Sequence, residues 1–294
     1  MTLIELVVAM VITGIIVAAT VYFFYPVAQS VDVAGRAELT DIADNALQRI
    51  GREVRLALPN SVRRDASGQF LEFLPVRTAG RYRGDAGGAS SGSDCTDSGL
   101  GVPASDQLSF DTNPPIDTCF KTIGTVADIG TVTTNDFLAF NNYGPNFTGQ
   151  DAYASLNIRK ISTVTAEANR AKFDFTSGVA LDHTLHDSPG RRFFVLVGNA
   201  TTNLPEAVSY VCDLAQGKLL RRWGYAMTPA QPTSFSTGSV AEIARNVTAC
   251  SFDYTPNVSP QIGLLTLRLT LSRAVSGSVQ SVTLYHSVHV SNIP

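Results

Sequence analysis

The stretch MTLIELVVAMVITGIIVAATVYFFYP, residues 1–26, decides the fold of this chain. No charged residue occurs between Leu6 and Tyr25. Only three residues interrupt the apolar run: Thr13, Gly14 and Thr20. About 20 apolar residues at ~1.5 Å each are enough to cross a bilayer core of ~30 Å. We therefore predict a membrane-spanning helix over residues 1–28.

One carboxylate, that of Glu5, lies just inside the apolar end of this stretch. A charge at the centre of a spanning helix costs on the order of 2.5–3.5 kcal/mol or more, so such residues usually have a specific partner. The nearest candidate is an amine: the α-amino group of Met1, or that of a neighbouring copy.

Two simpler explanations compete for the apolar stretch. A secretory signal peptide needs a basic segment before the apolar run and a small-residue cleavage site after it. No basic residue precedes the run in this sequence, and the run is followed by Tyr22-Phe-Phe-Tyr-Pro26 instead of small residues. The other explanation is an ordinary membrane anchor in which the glutamate has no role.

Residues 1–25 resemble the processed N-terminus of type IV pilins and type II secretion pseudopilins, where a hydrophobic residue precedes T-L-I-E-L-[VL]. The family prefers Phe in first position, where this chain has Met1. The resemblance implies that a prepilin peptidase exposes Met1 and methylates its amine, and that Glu5 pairs with a neighbouring N-terminal amine.

The same resemblance implies a location and a set of partners. The chain would cross the bacterial inner membrane once before assembly, then enter an extracellular pilus or a periplasmic filament. Its partners would be other pilin subunits in a homo- or hetero-filament, the prepilin peptidase and the inner-membrane assembly platform. A surface or host ligand would be a further partner of a tip subunit.

Gly14 and Pro26 bracket a β-branched and aromatic part of the predicted helix. Gly costs about 1 kcal/mol in a helix interior and Pro about 3 kcal/mol, with the loss of one backbone hydrogen bond. In type IV pilins a Gly and a Pro bound the part of the helix that unwinds inside the filament. The alternative is a simple kinked helix.

Residues 29–64 are predicted to continue the helix in amphipathic form. Apolar residues recur at spacings of three and four: Leu39, Ile42, Ala43, Ala46, Leu47, Ile50, Val54 and Leu58. We expect one helix from Met1 to Leu58, ended by Pro59. The basic residues here and just beyond are interpreted as a solvated face, and nucleic acid is an unlikely partner: Arg49, Arg52, Arg55, Arg63 and Arg64.

Residues 65–294 are predicted to form a β-rich head with sub-regions of about 65–190 and 191–294. The strand candidates are 70–76, 107–110, 136–140, 156–161, 192–198, 207–212, 218–223, 247–254, 264–272 and 281–289. In Leu265-Thr-Leu-Arg-Leu-Thr-Leu271 apolar and polar residues alternate strictly, which predicts one buried face and one wet face. The fold class is therefore α+β.

This head resembles that of minor subunits in the pilin family. The hairpin and last strands are similar to those of J-type minor pseudopilins, and the ending is most like a minor pilin of mannose-sensitive haemagglutinin (MSHA) pili. The resemblance implies the type IV pilin fold, in which a long N-terminal helix packs on an antiparallel sheet.

The chain has four cysteines, Cys95, Cys119, Cys212 and Cys250. An even number in an exported chain predicts two disulfides, and four cysteines allow three pairings. We favour Cys95–Cys119 and Cys212–Cys250, because each pair lies within one segment.

No pattern indicates a catalytic, cofactor or metal site, so an enzyme is not expected. His183 and His186 lie beside acids in a predicted loop, whereas His286 and His289 fall on opposite faces of a strand. The acids near Cys95 do not have the spacing of an EF-hand: Asp85, Asp94, Asp97 and Asp106.

Composition sets the remaining bounds. The chain has 294 residues, 44% of them hydrophobic, and a net charge of -3, so it has material for a large core and no general basic footprint. The expected function is that of a minor structural subunit of a pilus-like filament. The alternatives are a minor pseudopilin of a type II secretion system and a tip adhesin that uses the long loops Gly84–Gln107 and Ala226–Gly238.

Overall fold

The computed structural model describes residues 2–84, 95, 108, 118–145, 147–176, 181, 183–259, 261–275 and 278–294. Helix α1 covers Leu3–Arg55 and is followed by a domain of antiparallel strands. The domain also contains a 3-10 turn at Ile129–Thr131 and a short helix, α2, at His183–His186. The chain is α+β, with an N-terminal apolar helix and then a β-sheet domain, as the sequence predicts at this level.

The strands among the described residues fall into four sheets. In chain order they are β1 Arg63–Arg64, β2 Phe70–Phe73, β3 Val76–Arg81, β4 Cys119–Lys121, β5 Phe137–Phe140, β6 Ile158–Ala166, β7 Ala171–Phe175, β8 Arg192–Leu196, β9 Gly198–Asn199, β10 Leu204–Pro205, β11 Val208–Asp213, β12 Lys218–Trp223, β13 Ser239–Arg245, β14 Val247–Ser259, β15 Ile262–Val275 and β16 Ser278–Ser291. The sheet orders are β1-β2-β11-β12-β13, β9-β10, β14-β15-β16 and β3-β8-β5-β6-β7-β4.

Helix α1 ends at Arg55, earlier than the predicted end at Leu58 and well short of residue 64. The reason is a competing pairing: the Leu58 N–H donates to Leu74 O at 2.8 Å, and the Val76 N–H donates to Leu56 O at 2.9 Å. These bonds draw the chain into the start of the sheet before Pro59 is reached.

The C-terminal half of α1 packs on the sheet β14-β15-β16. Leu265, Leu267, Leu269 and Leu271 are all fully buried, which confirms the predicted alternation. They share one core with the buried stripe of α1 and with residues of the five-stranded sheet. The stripe consists of Leu39, Ala43, Ala46, Leu47, Ile50 and Val54. The amphipathic half of the helix therefore belongs to the head.

The six-stranded sheet curls until its two outer strands meet. Tyr82, just after β3, forms an antiparallel bridge with Thr122, just after β4. The Ile123 N–H then donates to Arg81 O at 2.7 Å. The ring of strands encloses an aromatic core in which Phe120 and Phe193 lie 5.1 Å apart, centroid to centroid. This closure removes two open sheet edges.

The sheets do not follow the predicted division of the head at residue 190. β2 lies before that point but pairs with β11, which lies after it. β8 begins at Arg192 but pairs with β3 and β5. The chain thus leaves the five-stranded sheet after β2, forms the six-stranded sheet with β3 to β8, and returns to the five-stranded sheet at β11.

Both predicted disulfides are present, Cys95–Cys119 and Cys212–Cys250. The second joins β11 to β14 and so connects the five-stranded sheet to the three-stranded sheet. Most of the predicted loop Gly84–Gln107, including its four acids, lies outside the described residues. Of the predicted strand at residues 107–110, only Leu108 is described, and it bridges Gly84.

Candidate functional site

The candidate site is the N-terminal half of α1, which projects from the head. Leu3–Tyr22 has a mean hydropathy of 2.5, and none of its apolar window is buried. Leu3 is 84% exposed and Met10 68%. By length and composition this is the one helix in the described part of the chain that could cross a membrane. It fits a single span or a signal sequence.

The polar side chains in this half are satisfied by the helix itself. The Thr13 hydroxyl donates to Ala9 O at 2.7 Å, and the Thr20 hydroxyl donates to Ile16 O at 2.7 Å. Such back-bonding hides a hydroxyl against the preceding turn. The surface offered to surroundings is therefore apolar even where the sequence contains threonine.

Glu5 closes the first turn of the helix. Thr2 is the N-cap residue, in an extended conformation. Its backbone N–H donates to Glu5 Oε2 at 2.8 Å, and its hydroxyl lies 3.2 Å from the same oxygen. This is the acidic half of a capping box, which satisfies an otherwise unpaired N–H and places negative charge at the positive end of the helix. Met1, the predicted processed residue, lies outside the described residues.

The carboxylate retains capacity for a second partner. Both hydrogen bonds that described residues make to Glu5 involve Oε2. An ionised carboxylate has about four lone-pair positions, so Oε1 can accept from a cation while Oε2 keeps the cap. An ammonium group of another subunit can be bound there without unwinding the first turn.

Helix α1 is continuous through Gly14 and Pro26, the two predicted points of melting or kinking. A side chain at Gly14 would meet no atom within 4 Å. The glycine is therefore not required by packing within the chain. The unwinding predicted for the filament stays a prediction.

Two of the four histidines lie in α2 and two in β16. His186 is buried, and its Nε2 lies 2.8 Å from Gly149 O. It and His183 bound the helix α2, where a loop was expected. His286 is half-buried and His289 exposed, on opposite faces of β16 as predicted. Among the described residues, no group of three or more His, Cys, Asp or Glu is placed to hold a metal ion.

Some of the basic residues that were expected to form a solvated face make ion pairs within the head. Arg49 pairs with Glu53 at 3.3 Å, and Arg64 with Asp253 at 3.4 Å. Arg63 lies 2.6 Å from the carboxylate of the buried Glu72. The expected solvated face is thus partly an internal contact, and sequence reasoning missed it. Glu72 inside the apolar run Phe70–Leu74 was the available signal.

The predicted loop Ala226–Gly238 is held against the head. Arg63 donates to Thr228 O at 2.9 Å and to Pro229 O at 2.5 Å. The ring of Phe235 packs on Tyr225 at 4.9 Å between centroids. Arg63 also lines an open cleft of about 630 Å³, together with Tyr143, Phe147, Tyr254 and Asn292, among others.

No family model, curated protein or solved structure matches this chain.

Proposed function

We propose that this chain is a structural subunit of a type IV pilus-like filament, specifically a minor pilin. The observation that carries the proposal is the division of one helix into two halves. The half from Leu39 to Val54 buries one stripe of side chains in the head, whereas Leu3–Tyr22 is uncharged but for Glu5 and is exposed along its whole length. An apolar surface of this extent needs a membrane or other chains to cover it.

Both coverings are used in turn in this proposal. The exposed half first anchors the chain in the inner membrane after processing by the prepilin peptidase. The assembly platform then draws it into a filament, where the same surface packs against the apolar helices of neighbouring subunits. The head remains outside the helical core, and the Cys212–Cys250 disulfide suits an oxidising compartment.

Glu5 sets the position of each new subunit. Apolar helices bury similar areas in many registers, so hydrophobic contact alone defines register weakly. A buried ammonium or carboxylate without a partner costs several kcal/mol, roughly, and only one register pairs the incoming Met1 amine with a Glu5. Oε1 of the capped carboxylate, which accepts no hydrogen bond from the described residues, is the acceptor for that amine.

Immunogold labelling of sheared filaments tests the assignment. A minor pilin should label filaments sparsely along their length and should co-sediment with them. A head-directed antibody that labels only the inner membrane, with none on any sheared filament, would contradict the assignment and favour a secretion pseudopilin.

A tip-binding role is favoured by a separate observation, the cleft between Tyr143 and Tyr254. Its aromatic side chains include Phe147, which is 52% exposed. Exposed aromatic residues in a concave site are typical of ligand contacts. Gold label confined to filament ends would support this role over a position along the shaft.

A further inference from the structure

A cavity of about 320 Å³ lies between the five-stranded sheet and the loop Ala226–Gly238. It shares no lining residue with the cleft of Tyr143 and Tyr254, so it is a separate site. We call it the Arg222 cavity. Its lining includes Phe70, Val211, Asp213, Leu220, Arg222 and Phe235.

The floor of the Arg222 cavity is a row of apolar side chains across three strands. Val211 in β11 lies opposite Phe70 in β2 and opposite Leu220 in β12. Successive side chains of a strand point to opposite faces of a sheet. Their neighbours Cys212 and Leu219 belong to the core that the sheet shares with α1. The apolar floor is therefore on the side of the sheet remote from α1.

The loop that forms the wall of the cavity is held at several points. Gln231 donates from Nε2 to Phe70 O at 3.1 Å. The ring of Phe235 packs on that of Tyr225. Arg63 holds the first part of the loop through two of its carbonyl oxygens. The wall is thus fixed by the chain itself, and the cavity is formed before a ligand arrives, as is usual for ligand sites.

Arg222 brings a positive charge to this cavity that no described residue neutralises. Its guanidinium lies over the ring of Phe235, 5.1 Å from the centroid. Nε is shut off from solvent and has no acceptor in the described part of the chain. Neither Nη nitrogen donates to a described residue. A polar group that has lost its water without gaining a partner costs stability, and a charged group costs more. The two Nη nitrogens are therefore available to an anion.

Two acids lie near Arg222 on the same face of the sheet, and both are paired with other bases. Glu72 lies two strands away in the same row, and Glu242 lies two residues from the position opposite Arg222 on β13. Three basic side chains hold these two carboxylates, at 2.6, 3.1 and 2.7 Å respectively: Arg63, Lys218 and Arg245. Neither acid therefore neutralises the charge of Arg222.

Asp213 limits the charge of a ligand in this cavity. It lies opposite Lys218, whereas Arg222 lies opposite Ser209. That separation of four residues along the strands is about 13 Å at ~3.3 Å per residue. A ligand with two negative charges would gain from one cation and be repelled by Asp213. A monoanion with its charge at Arg222 places only its uncharged body towards the acid.

We propose that the Arg222 cavity binds a small organic monocarboxylate. The carboxylate accepts from the two Nη nitrogens of Arg222, whose planar guanidinium matches a pair of carboxylate oxygens. The apolar body of the ligand rests on the row formed by Phe70, Val211 and Leu220. A volume of about 320 Å³ is at the lower end of the range for ligand pockets, which suits a small molecule. The site consists of head residues alone, so it does not depend on the filament assignment.

The test uses the full chain in lipid nanodiscs and para-fluorobenzoate, followed by its fluorine NMR signal, with empty nanodiscs as the blank. We expect saturable binding with a dissociation constant in roughly the millimolar range, as a ligand of this size allows. The neutral para-fluorobenzamide has nearly the same shape and should bind about tenfold more weakly, the lower range for the loss of hydrogen bonds to a charged group. The carboxylate should also slow hydrogen exchange at residues 231–235 and leave Tyr143 and Phe147 unchanged.

Arg222→Gln removes the charge and should weaken the binding of para-fluorobenzoate by about tenfold, with little effect on para-fluorobenzamide. Arg245→Gln is the matched control, because Arg245 belongs to the same sheet but does not line the cavity, and it should bind as wild type does. The contrast between the two probes and the exchange pattern are measured on the unmodified chain. They give a result even if Arg222→Gln does not fold.

The proposal is overturned if para-fluorobenzoate does not bind, if it binds no more tightly than the amide, or if exchange at residues 231–235 is unchanged at saturation. It is also overturned if a folded Arg222→Gln binds the carboxylate normally, or if Arg245→Gln loses as much binding as Arg222→Gln. Displacement of the probe by inorganic phosphate at a lower concentration than by unlabelled benzoate would identify a phosphate site instead. Filament labelling is independent of these measurements, so the failure of either assignment leaves the other standing.

Discussion

The guanidinium of Arg63 lies 2.6 Å from the carboxylate of Glu72, and the two side chains are 10% and 0% exposed. Arg63 also stacks over the ring of Tyr153 at 3.5 Å. The Tyr225 hydroxyl donates to Glu72 Oε1 at 2.8 Å. Through Pro229 O, Arg63 holds the loop after β12 as well. The buried pair of Arg63 and Glu72 thus connects β1 and β2 to the loop after β12 and to Tyr153, which lies between β5 and β6 of the ring.

This pair predicts a pH dependence of stability. Burial raises the pKa of Glu72 above its ordinary value, although Arg63 and the Tyr225 hydroxyl act in the opposite direction. A raised pKa in the folded state means that the stabilising contribution is present below the unfolded pKa and is lost as the pH rises through the folded pKa. We therefore compare the free energy of unfolding of wild type with that of Glu72→Gln. The excess of wild type over the variant should be larger near pH 4 than near pH 7, roughly the interval over which a buried carboxyl loses its proton.

Glu242→Gln is the matched control. Hydrogen bonds from Lys218 and Arg245 lower the pKa of Glu242, so its contribution should be present at neutral pH and lost on acidification. Urea unfolding in detergent, followed by the fluorescence of Trp223, measures both differences. If the stability differences of Glu72→Gln and Glu242→Gln from wild type changed with pH in the same direction, the prediction would be contradicted.

Gly51 allows α1 to lie close to β16. A Cβ atom there would be 3.0 Å from His286 Nε2 and 3.1 Å from Val288 Cγ2. Overpacking of this kind costs about 1–3 kcal/mol. We expect Gly51→Leu to lower the free energy of unfolding of the head by that amount. Gly14→Leu, at a position with no atom within 4 Å, should leave the head unchanged. Equal stability of the two variants would show that the close approach at Gly51 is not required.

The Cys212–Cys250 disulfide should be the more important of the two for the head, since it joins two sheets. With a sequence separation of 38, closing its loop stabilises by about 3–4 kcal/mol in the chain-entropy model. The free energy of unfolding of the double variant Cys212→Ser, Cys250→Ser should be lower than that of wild type by about this amount. Mass mapping of a non-reduced digest should recover 95–119 and 212–250 peptides, and a cross-link between the two segments would contradict the structure.

The sequence predicts those parts of the fold that depend on local periodicity. The alternation at Leu265–Leu271 gives the inner face of β15, and the stripe at Leu39–Val54 gives the docked half of α1. The predicted end of the helix was wrong because the Leu58 N–H donates to Leu74 O, a contact that no local pattern shows. The strands β1, β4, β7, β10 and β13 and most of β3 were missed. The ring is completed by contacts between distant segments, namely the pairing of β4 with β7 and the bridge between Tyr82 and Thr122.

The candidate site was predicted in the same uneven way. The apolar run and Glu5 can be seen directly in the sequence. The bond from the Thr2 N–H to Glu5 was missed, although T-x-x-E before an apolar run is a capping-box signature. The predicted partner of Glu5 belongs to Met1 or to another chain, and a single subunit cannot display a pairing between subunits.

In the proposed filament, Glu5 sets the register of each subunit. Glu5→Val removes the acceptor for the incoming amine and keeps the helix apolar, so membrane insertion should be unaffected. Loss of the cap should cost only about 0.5–2 kcal/mol at the first turn. Glu5→Gln is the matched variant, because it retains an oxygen acceptor for the Thr2 N–H but carries no charge. Both variants should be processed normally and should assemble poorly.

The most direct measurement is the amount of processed subunit in sheared filaments, relative to that in the inner membrane, for wild type, Glu5→Gln and Glu5→Val. We predict normal cleavage and normal membrane levels for all three, with both variants strongly depleted from filaments. Either variant appearing in filaments at the wild-type level after normal cleavage would contradict this prediction.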